Sequence, residues 1–399
     1  ILAIAEKYDL NGAIIGEVIA ESRYIIEHRG AMVADVPIKL LTEGAPSCSP
    51  YRSNIGSQLQ AFPAPRLPLR EKALRVLSSP NVATREWIYQ QYDHEVQTRT
   101  VVKPGDGAAV LAIDGLRGVV LSSGCNPSQV AIDPFKGAAA TVFENAMNLA
   151  VKGATPVAFV NCLNFGNPEN AEIFAQLAQT VSGLSYAARI LDIPIVGGNV
   201  SLYNESEEFH TAIIPTPSIG MVGVLDNVAL VPRGFFQQGG DVIIIIGETQ
   251  PEYGGSEYGQ VFELAGAVPQ PGETTKATID ALIRIIETRK VTAACAISRG
   301  GIIATLAKMC KHLGADVNLS SCLDDGDELF SESAGRALLT LRPKDVNSIG
   351  AVLDAHNVPY SQIGTVCGTE LAVSIGSSRL TLPLETIRKS LAALTEKMV

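Results

Sequence analysis

The sequence has 399 residues, enough for two or three domains, and 46% of them are hydrophobic while 18% are charged. This balance supports buried cores and excludes an intrinsically disordered chain. The net charge of -10 argues against a general nucleic-acid-binding protein, because neutralising phosphates in bulk requires a basic surface.

The chain also lacks the patterns of a membrane or secreted protein. Its apolar runs, such as 242–246, are too short to span a bilayer, and its N-terminus has no signal-peptide pattern. The seven cysteines include no CxxC pair, which favours reduced thiols over a zinc site or a disulfide framework. We therefore expect a cytoplasmic protein without membrane or nucleic-acid partners.

The two ends of the chain share a pattern. Ile14-Ile15-Gly16-Glu17-Val18 precedes Pro37, and Gln362-Ile363-Gly364-Thr365-Val366 precedes Pro383, with a predicted strand, hairpin and proline-led helix each time. A duplicated unit explains this similarity, and so does chance resemblance between two hairpins. If the duplication is real, residues 1–43 are the tail of a first copy. The proline-rich segment 44–69 is then a linker.

Residues 70–228 have the pattern of an α/β or α+β domain. Ser79-Pro80 predicts the start of a helix that continues to Tyr92, since serine caps helices and proline suits the first turn. Further on, we predict paired strands within 108–121, helices over 137–150 and 171–190, and a strand over 193–196. The second of these helices has an apolar stripe made of Ile173, Leu177, Val181, Leu184 and Ala188.

Two polar segments follow predicted strands in this domain. The segment 161–169 contains three Asn, and 197–204 begins Gly197-Gly198-Asn199-Val200-Ser201. Paired glycines allow close approach to a phosphate, and an Asn oxygen is a suitable Mg²⁺ ligand. Simple turns explain the same residues equally well, because Asn and Gly are common turn formers.

The helix predicted over 137–150 and the last domain contain further candidate binding residues. Glu144 and Asn148 share a helix face, which suits either a metal site or solvent. In 229–399 the uninterrupted apolar run 242–246 predicts a fully buried strand. We also predict strands over 291–297 and 337–341, a helix over 275–288, and a glycine turn at 254–258. Ser298-Arg299-Gly300-Gly301 precedes a helix, where glycines permit either anion binding at the helix N-terminus or close packing.

Taken together, several of these motifs resemble one enzyme family. The matching segments are Trp87 to His94, Asn126-Pro127, Cys162 to Pro168, Gly197 to Asn204, Gly254 to Tyr258 and Phe330 to Ser333. They are similar, in order, to the separate synthetase subunit of phosphoribosylformylglycinamidine synthase, a member of the aminoimidazole ribonucleotide synthetase-like superfamily. The resemblance covers essentially the whole chain.

The resemblance implies an α/β (α+β) fold with a tandem duplication of A-type and B-type domains. Residues 1–43 would end a first B-type domain, 70–228 would form the second A-type domain and 229–399 the second B-type domain. The family's catalytic His lies in the first A-type domain, so no catalytic residue is expected here. We expect this chain alone to be inactive.

The resemblance also implies a reaction and its ligands. In the family, ATP phosphorylates the amide oxygen of formylglycinamide ribonucleotide, and ammonia then displaces phosphate to leave an amidine. A glutaminase subunit supplies the ammonia, and a small accessory subunit completes the assembly. Carried over by motif, Asn161 and Gly198 would contact ATP, Asn199 would bind Mg²⁺, and Ser201 would contact the substrate phosphate.

This sequence departs from the family pattern at three places. Relatives often have Asp where Asn161 and Gly124 stand, and the usual His-Asp-x-Ser-Asp-Gly-Gly run is Cys295 to Gly301 here, without either acid. A metal role for that last loop is therefore in doubt. Two other functions stay open: a single-copy ATP-dependent synthetase that dimerises, and a non-catalytic nucleotide-binding scaffold.

Overall fold

A computed structural model describes residues 1–44, 65–206, 208–209, 211–320 and 326–398. Most of the proposed linker 44–69 lies outside these described residues. The chain divides into two compact units, Ile1–Pro50 and Tyr51–Val399. Among the helices of the described part, none is long and apolar enough to cross a membrane.

The first unit contains a hairpin flanked by short helices. Its elements are α1 (Leu2–Lys7), β1 (Arg23–His28), β2 (Ala31–Pro37) and α2 (Ile38–Thr42), and β1 pairs antiparallel with β2. The predicted hairpin and the helix after Pro37 are confirmed. The strand predicted at 14–18 is wrong, because these residues form no strand. Its counterpart at the other end of the chain pairs with two neighbouring strands, and an extended segment without such partners is not stable.

The second unit contains the remaining elements. Its helices are α3 (Leu69–Leu77), α4 (Glu86–Tyr89), α5 (Pro127–Ile132), α6 (Pro134–Ala150), α7 (Ala171–Leu191), α8 (Glu257–Val261), α9 (Glu273–Glu287), α10 (Gly301–Met309), α11 (Val346–Ala355), α12 (Leu384–Leu391) and α13 (Ala393–Met398). Its strands are β3 (Thr100–Val102), β4 (Ala109–Ala112), β5 (Gly118–Gly124), β6 (Thr155–Asn164), β7 (Ile195–Ser201), β8 (Glu205–Ser206), β9 (Thr211–Ala212), β10 (Thr216–Leu225), β11 (Val242–Ile246), β12 (Val291–Ala296), β13 (Ala315–Leu319), β14 (Ala337–Leu341), β15 (Tyr360–Val366), β16 (Glu370–Ile375) and β17 (Ser378–Pro383).

These strands form two large mixed sheets. The first has the order β3-β4-β5-β10-β6-β7, and the second has the order β12-β14-β11-β15-β13-β16-β17. In β11, Ile244 and Ile246 belong to one apolar core, while Ile243 and Ile245 belong to the other. Because alternate residues of a strand face opposite sides, this central strand is buried on both faces, as its uninterrupted apolar run predicted.

Helices of the second unit cover one face of the first sheet. Helices α6 and α7 pack on that face, with Phe143 and Phe159 buried between helix and sheet. On the opposite face, Leu121, Val160 and Val224 are each between 43% and 45% exposed. This second face of the sheet is called the outer face below.

Two local predictions for this region are wrong. Ser79-Pro80 does not start a helix: the Ser79 hydroxyl donates to the Val76 carbonyl oxygen and closes the end of α3. In α7, Val181 is 44% exposed instead of buried, because the helix packs through Thr180, Leu184 and Ala187. The other predicted helices and strands of residues 108–341 are present within a few residues of their expected bounds.

Candidate functional site

The two polar segments predicted as loops are largely parts of adjacent strands. β6 continues to Asn164 and β7 to Ser201, and the two strands pair in parallel, with Asn161 opposite Gly198 and Asn164 opposite Ser201. The loop predictions for 161–164 and 197–201 are therefore wrong. The parallel ladder extends these strands, since each residue gains backbone hydrogen bonds by staying in the pair.

Strand alternation places the four candidate residues on two faces. Asn161 lies on the side of the buried residues Phe159 and Leu163, and Gly198 is its neighbour on β7. Asn199 and Ser201 point to the opposite side, which is the outer face. The structure thus brings together Asn161 with Gly198, and Asn199 with Ser201, as two pairs.

Cys162 and Asn164 join Asn199 and Ser201 on the outer face, and these four residues are called the outer-face cluster. The Asn199 Nδ2 group donates to Ser201 Oγ at 3.2 Å and lies 3.8 Å from Cys162 Sγ. Asn164 Nδ2 donates to the carbonyl oxygens of Cys162 and Thr216, each at 3.2 Å. Sequence reasoning missed Cys162 and Asn164, although continuing the strand alternation past Val160 would have placed them there.

The chain segments beyond β6 and β7 are cross-linked by side chains. Asn204 Nδ2 donates to the carbonyl oxygens of Phe165 and Ser201, at 3.0 and 2.8 Å. Glu205 Oε1 accepts from the backbone N–H of Asn167 at 2.7 Å. These bonds hold the carboxyl ends of two parallel strands in register, a position where α/β proteins commonly bind ligands.

The outer-face cluster offers an incomplete set of metal ligands. Asn199 uses Nδ2 in the contacts above, so its Oδ1 remains the atom suited to Mg²⁺, which prefers oxygen ligands in an octahedral arrangement. Within the described residues, no group of three or more His, Cys, Asp or Glu side chains has metal-binding geometry. The cluster fits one edge of a Mg²⁺ site whose other ligands come from elsewhere.

A second polar region lies between α6 and the turn after β12. Glu332 Oε1 accepts from the backbone N–H groups of Gly300 and Glu257, at 2.8 and 2.7 Å. The glycines of Ser298 to Gly301 thus serve close packing, and the backbone N–H of Gly300 is already occupied by a carboxylate of the protein itself. The protein's own carboxylate binds at the start of α10, and a Cβ on Gly301 would lie 2.6 Å from the carbonyl oxygens of Leu329 and Ser331.

Burial raises the pKa of two carboxyl groups in this region, Glu332 and Glu144. Desolvation raises the pKa of Glu332 to about 7, against the opposing effects of the two backbone N–H groups and of Arg299. Desolvation also raises the pKa of Glu144, whose carboxyl group is hydrogen-bonded to Ser298. Glu144 and Asn148 do not form the joint metal site considered above, because Asn148 turns to Ser122 Oγ, 3.5 Å away.

Comparison with known protein families defines the class of this protein. The model of the AIR synthase related protein N-terminal domain matches residues 105–225, and that of the C-terminal domain matches residues 238–376. The two matches cover well over half of the chain, and each contains all but one strand of a large sheet, since β3 and β17 lie outside the matched residues. The chain belongs to the AIR synthase related protein family, which confirms the α+β fold and the family resemblance.

Within this family, the chain is similar to phosphoribosylformylglycinamidine synthase subunit PurL. It is 47% identical to PurL of Methanosarcina mazei over 406 residues, covering all of this chain and 56% of the relative. It is 37% identical to PurL of Thermoanaerobacter sp., covering 97% of this chain and 54% of the relative. The chain therefore spans about half the length of the curated relatives it matches.

Solved structures of PurL from T. maritima have the same fold. The complex with FGAR matches with a TM-score of 0.64 and 19% identity, over 80% of this chain and 53% of that chain. The complex with ATP matches with a TM-score of 0.61 and 20% identity, over 80% of this chain and 51% of that chain.

Proposed function

We propose that this chain forms part of a composite site for ATP-dependent amidation of formylglycinamide ribonucleotide in purine biosynthesis. The products are formylglycinamidine ribonucleotide, ADP and phosphate, with ammonia derived from glutamine. The 47% identity to a PurL subunit over the full length of the chain carries this proposal. Partners of the chain are a glutaminase subunit and a small accessory subunit of the same synthase.

In this proposal, Asn161 and Gly198 contact ATP, Asn199 supplies an oxygen to Mg²⁺, and Ser201 binds the substrate phosphate. The two residue pairs lie on opposite faces of the ladder formed by β6 and β7, and β7 is the edge strand of its sheet. A ligand bound around an edge strand contacts both faces of the sheet. A single site can therefore include the pair Asn161 and Gly198 and the pair Asn199 and Ser201. Bound Mg²⁺ would neutralise charge on the transferred phosphoryl group.

The outer face supports a site completed by a further domain. The outer-face cluster supplies polar groups but no carboxylate, and it shares the outer face with the exposed apolar side chains of Leu121, Val160 and Val224. Apolar surface of this kind is typical of an interface. The first A-type domain of the duplication, packed here, would bury these side chains and bring its own ligands to Asn199 and Ser201.

The first unit supports a tandem duplication, with residues 1–43 as the tail of a first B-type domain. Asp9 and Asn357 both have positive φ, of 55° and 54°, and each lies nine residues before the Val of its repeat. Pro37 and Pro383 precede α2 and α12 with nearly equal backbone angles, φ -62° and ψ 136° against φ -58° and ψ 145°. The positive φ at the same offset in both segments favours duplication over chance, whereas the two prolines follow the Val residues at different offsets, 19 and 17 residues.

Calorimetry tests the composite site. Mg²⁺-ATP is titrated into this chain, into the separately expressed first half of a PurL relative, and into their mixture. Mass spectrometry follows amidine formation in the same three samples after formylglycinamide ribonucleotide, Mg²⁺-ATP and ammonia are supplied. We expect binding and amidine formation in the mixture only. Turnover by this chain alone would contradict the proposal and favour a self-sufficient, single-copy synthetase.

A further inference from the structure

An open cleft lies between α6 and the loops around residues 298 and 332. Its charged lining comes from Glu144, Arg299 and Glu332, and its polar lining includes Asn126, Gln129 and Ser298. The cleft involves none of the residues assigned to the amidation site. Titratable groups with shifted pKa values in the walls of a cleft are a common sign of a binding site.

The charges of this cleft are held in place from both sides. Arg299 Nη2 donates to the Cys125 carbonyl oxygen at 2.6 Å, which fixes the guanidinium against the end of β5. Glu332 is 7% exposed and is fixed by its two backbone N–H donors. Glu144 is half-buried and is held by Ser298. The three groups are thus preorganised before any ligand arrives.

The opposite charges share the cleft without meeting. Arg299 is absent from the ion pairs formed at 4.0 Å or less by the described residues, which include Lys72 with Asp327 and Lys152 with Asp106. Lys308 also acts electrostatically on Glu144 and Glu332, but like Arg299 it forms no ion pair at 4.0 Å or less with the described residues. Buried charges held apart in this way lose solvation without a direct ion-pair partner. A ligand that carries both charges would supply a partner to each side.

We propose that this cleft binds a small zwitterion of the α-amino acid class. The ligand carboxylate pairs with Arg299, and its ammonium group pairs with Glu332 and Glu144. A simple anion would meet two carboxylates and a simple cation would meet a guanidinium, so neither satisfies the cleft. Met147, Pro269 and Ile297 line the same cleft and provide an apolar surface for an aliphatic side chain.

Binding of such a ligand is coupled to protons. The raised pKa of Glu332 means that this carboxyl group holds a proton for part of the time near neutral pH. An ammonium group beside it favours the ionised form, so binding releases a proton. Affinity is therefore expected to rise as the pH increases from 6 to 8, a dependence that purely apolar binding would not give.

Titration calorimetry on the full 399-residue chain tests the proposal. The probes are glycine, L-leucine and L-glutamine, and the single-charge controls are propionate and propylamine. We expect at least one amino acid to bind roughly tenfold or more tightly than both controls, with proton release detected by comparing buffers of different ionisation enthalpy. No amino-acid binding, or equal binding of propionate, would overturn the proposal.

Variants locate the site. Arg299→Met and Glu332→Gln are each expected to weaken amino-acid binding by about tenfold or more, whereas Arg284→Met, at a side chain 68% exposed on α9, leaves it unchanged. Glu144→Gln provides a second carboxylate variant if Glu332→Gln does not fold. Unchanged affinity in the folded Arg299 and carboxylate variants would refute the assignment. So would Mg²⁺-ADP displacing the amino acid, because the cleft would then be a nucleotide site.

Discussion

Gly198 lies directly against Asn161 in the parallel pair of β6 and β7. A Cβ on Gly198 would stand 2.6 Å from Asn161 Oδ1 and 2.8 Å from the Asn161 carbonyl oxygen. The φ of Gly198 is not positive, so its backbone conformation suits any residue. This glycine is required by the close approach of Asn161, and the site geometry depends on that approach.

Gly198→Ala is therefore expected to lower the free energy of unfolding by about 1–3 kcal/mol, because the added methyl group displaces Asn161. Gly197→Ala is the matched control, since the nearest atom to its new Cβ would be Val160 Cγ1 at 3.9 Å. We expect a change of roughly 0.5 kcal/mol or less for the control. Urea unfolding of both variants measures the difference, and equal effects would contradict the packing argument.

Asp106→Asn is expected to destabilise the protein by about 3–5 kcal/mol, because it leaves the charge of Lys152 buried without its partner. The Lys152 side chain is fully buried, and its Nζ lies 2.8 Å from Asp106 Oδ2. As a control, Asp114→Asn breaks the exposed pair with Arg117 and should cost less than about 1 kcal/mol. Thermal and urea unfolding compare the two variants. A loss for Asp106→Asn no larger than that for Asp114→Asn would show that the buried pair does not stabilise the fold.

The stability of the protein should decrease between about pH 4.5 and pH 7 through Glu332. Its pKa is raised to about 7 in the folded protein from an ordinary value of 4.5, so the folded state binds more protons than the unfolded state over this range. The resulting stabilisation is present at low pH and disappears as the pH rises through 7. Glu144 contributes in the same direction.

Glu332→Gln should flatten this part of the profile of unfolding free energy against pH, which urea unfolding at several pH values measures. The exposed residue Glu287 provides the control, because Glu287→Gln alters a surface pair with Arg284 and should leave the profile unchanged. A profile for Glu332→Gln that still falls as steeply as that of the unmodified chain would assign the proton to another group.

Asn199→Ala should reduce Mg²⁺-ATP affinity about tenfold or more in the mixture with the first half of a relative, since it removes a proposed Mg²⁺ ligand. The side chain is exposed in this chain, so its removal should change stability by only about 0.5 kcal/mol. Ser123→Ala, also exposed on the outer face but three strands away, serves as the control. Calorimetry measures the Mg²⁺-ATP affinity of the two mixtures. Equal affinities of the Asn199→Ala and Ser123→Ala mixtures would show that Asn199 is not part of the site.

Short-range patterns were sufficient to predict most elements. The uninterrupted apolar run 242–246 predicted a strand buried on both faces, and the apolar period of 171–190 predicted α7. Both follow from backbone geometry, because side chains repeat every two residues in a strand and about every 3.6 in a helix. The ordered motifs likewise pointed to the family that the comparisons then established.

Contacts between distant segments decided the rest. Gly197 to Ser201 has the composition of a loop, yet hydrogen bonds to β6 make it a strand and send Asn199 and Ser201 to the face opposite Asn161. Residues 14–18 have the composition of a strand but form none, because their counterpart depends on β11 and β13 as neighbours. Hydrogen-bond partners that are far apart in the sequence leave no local signal. The same holds for Glu332, whose bonds to Gly300 and Glu257 join three separate loops and shape the charged cleft.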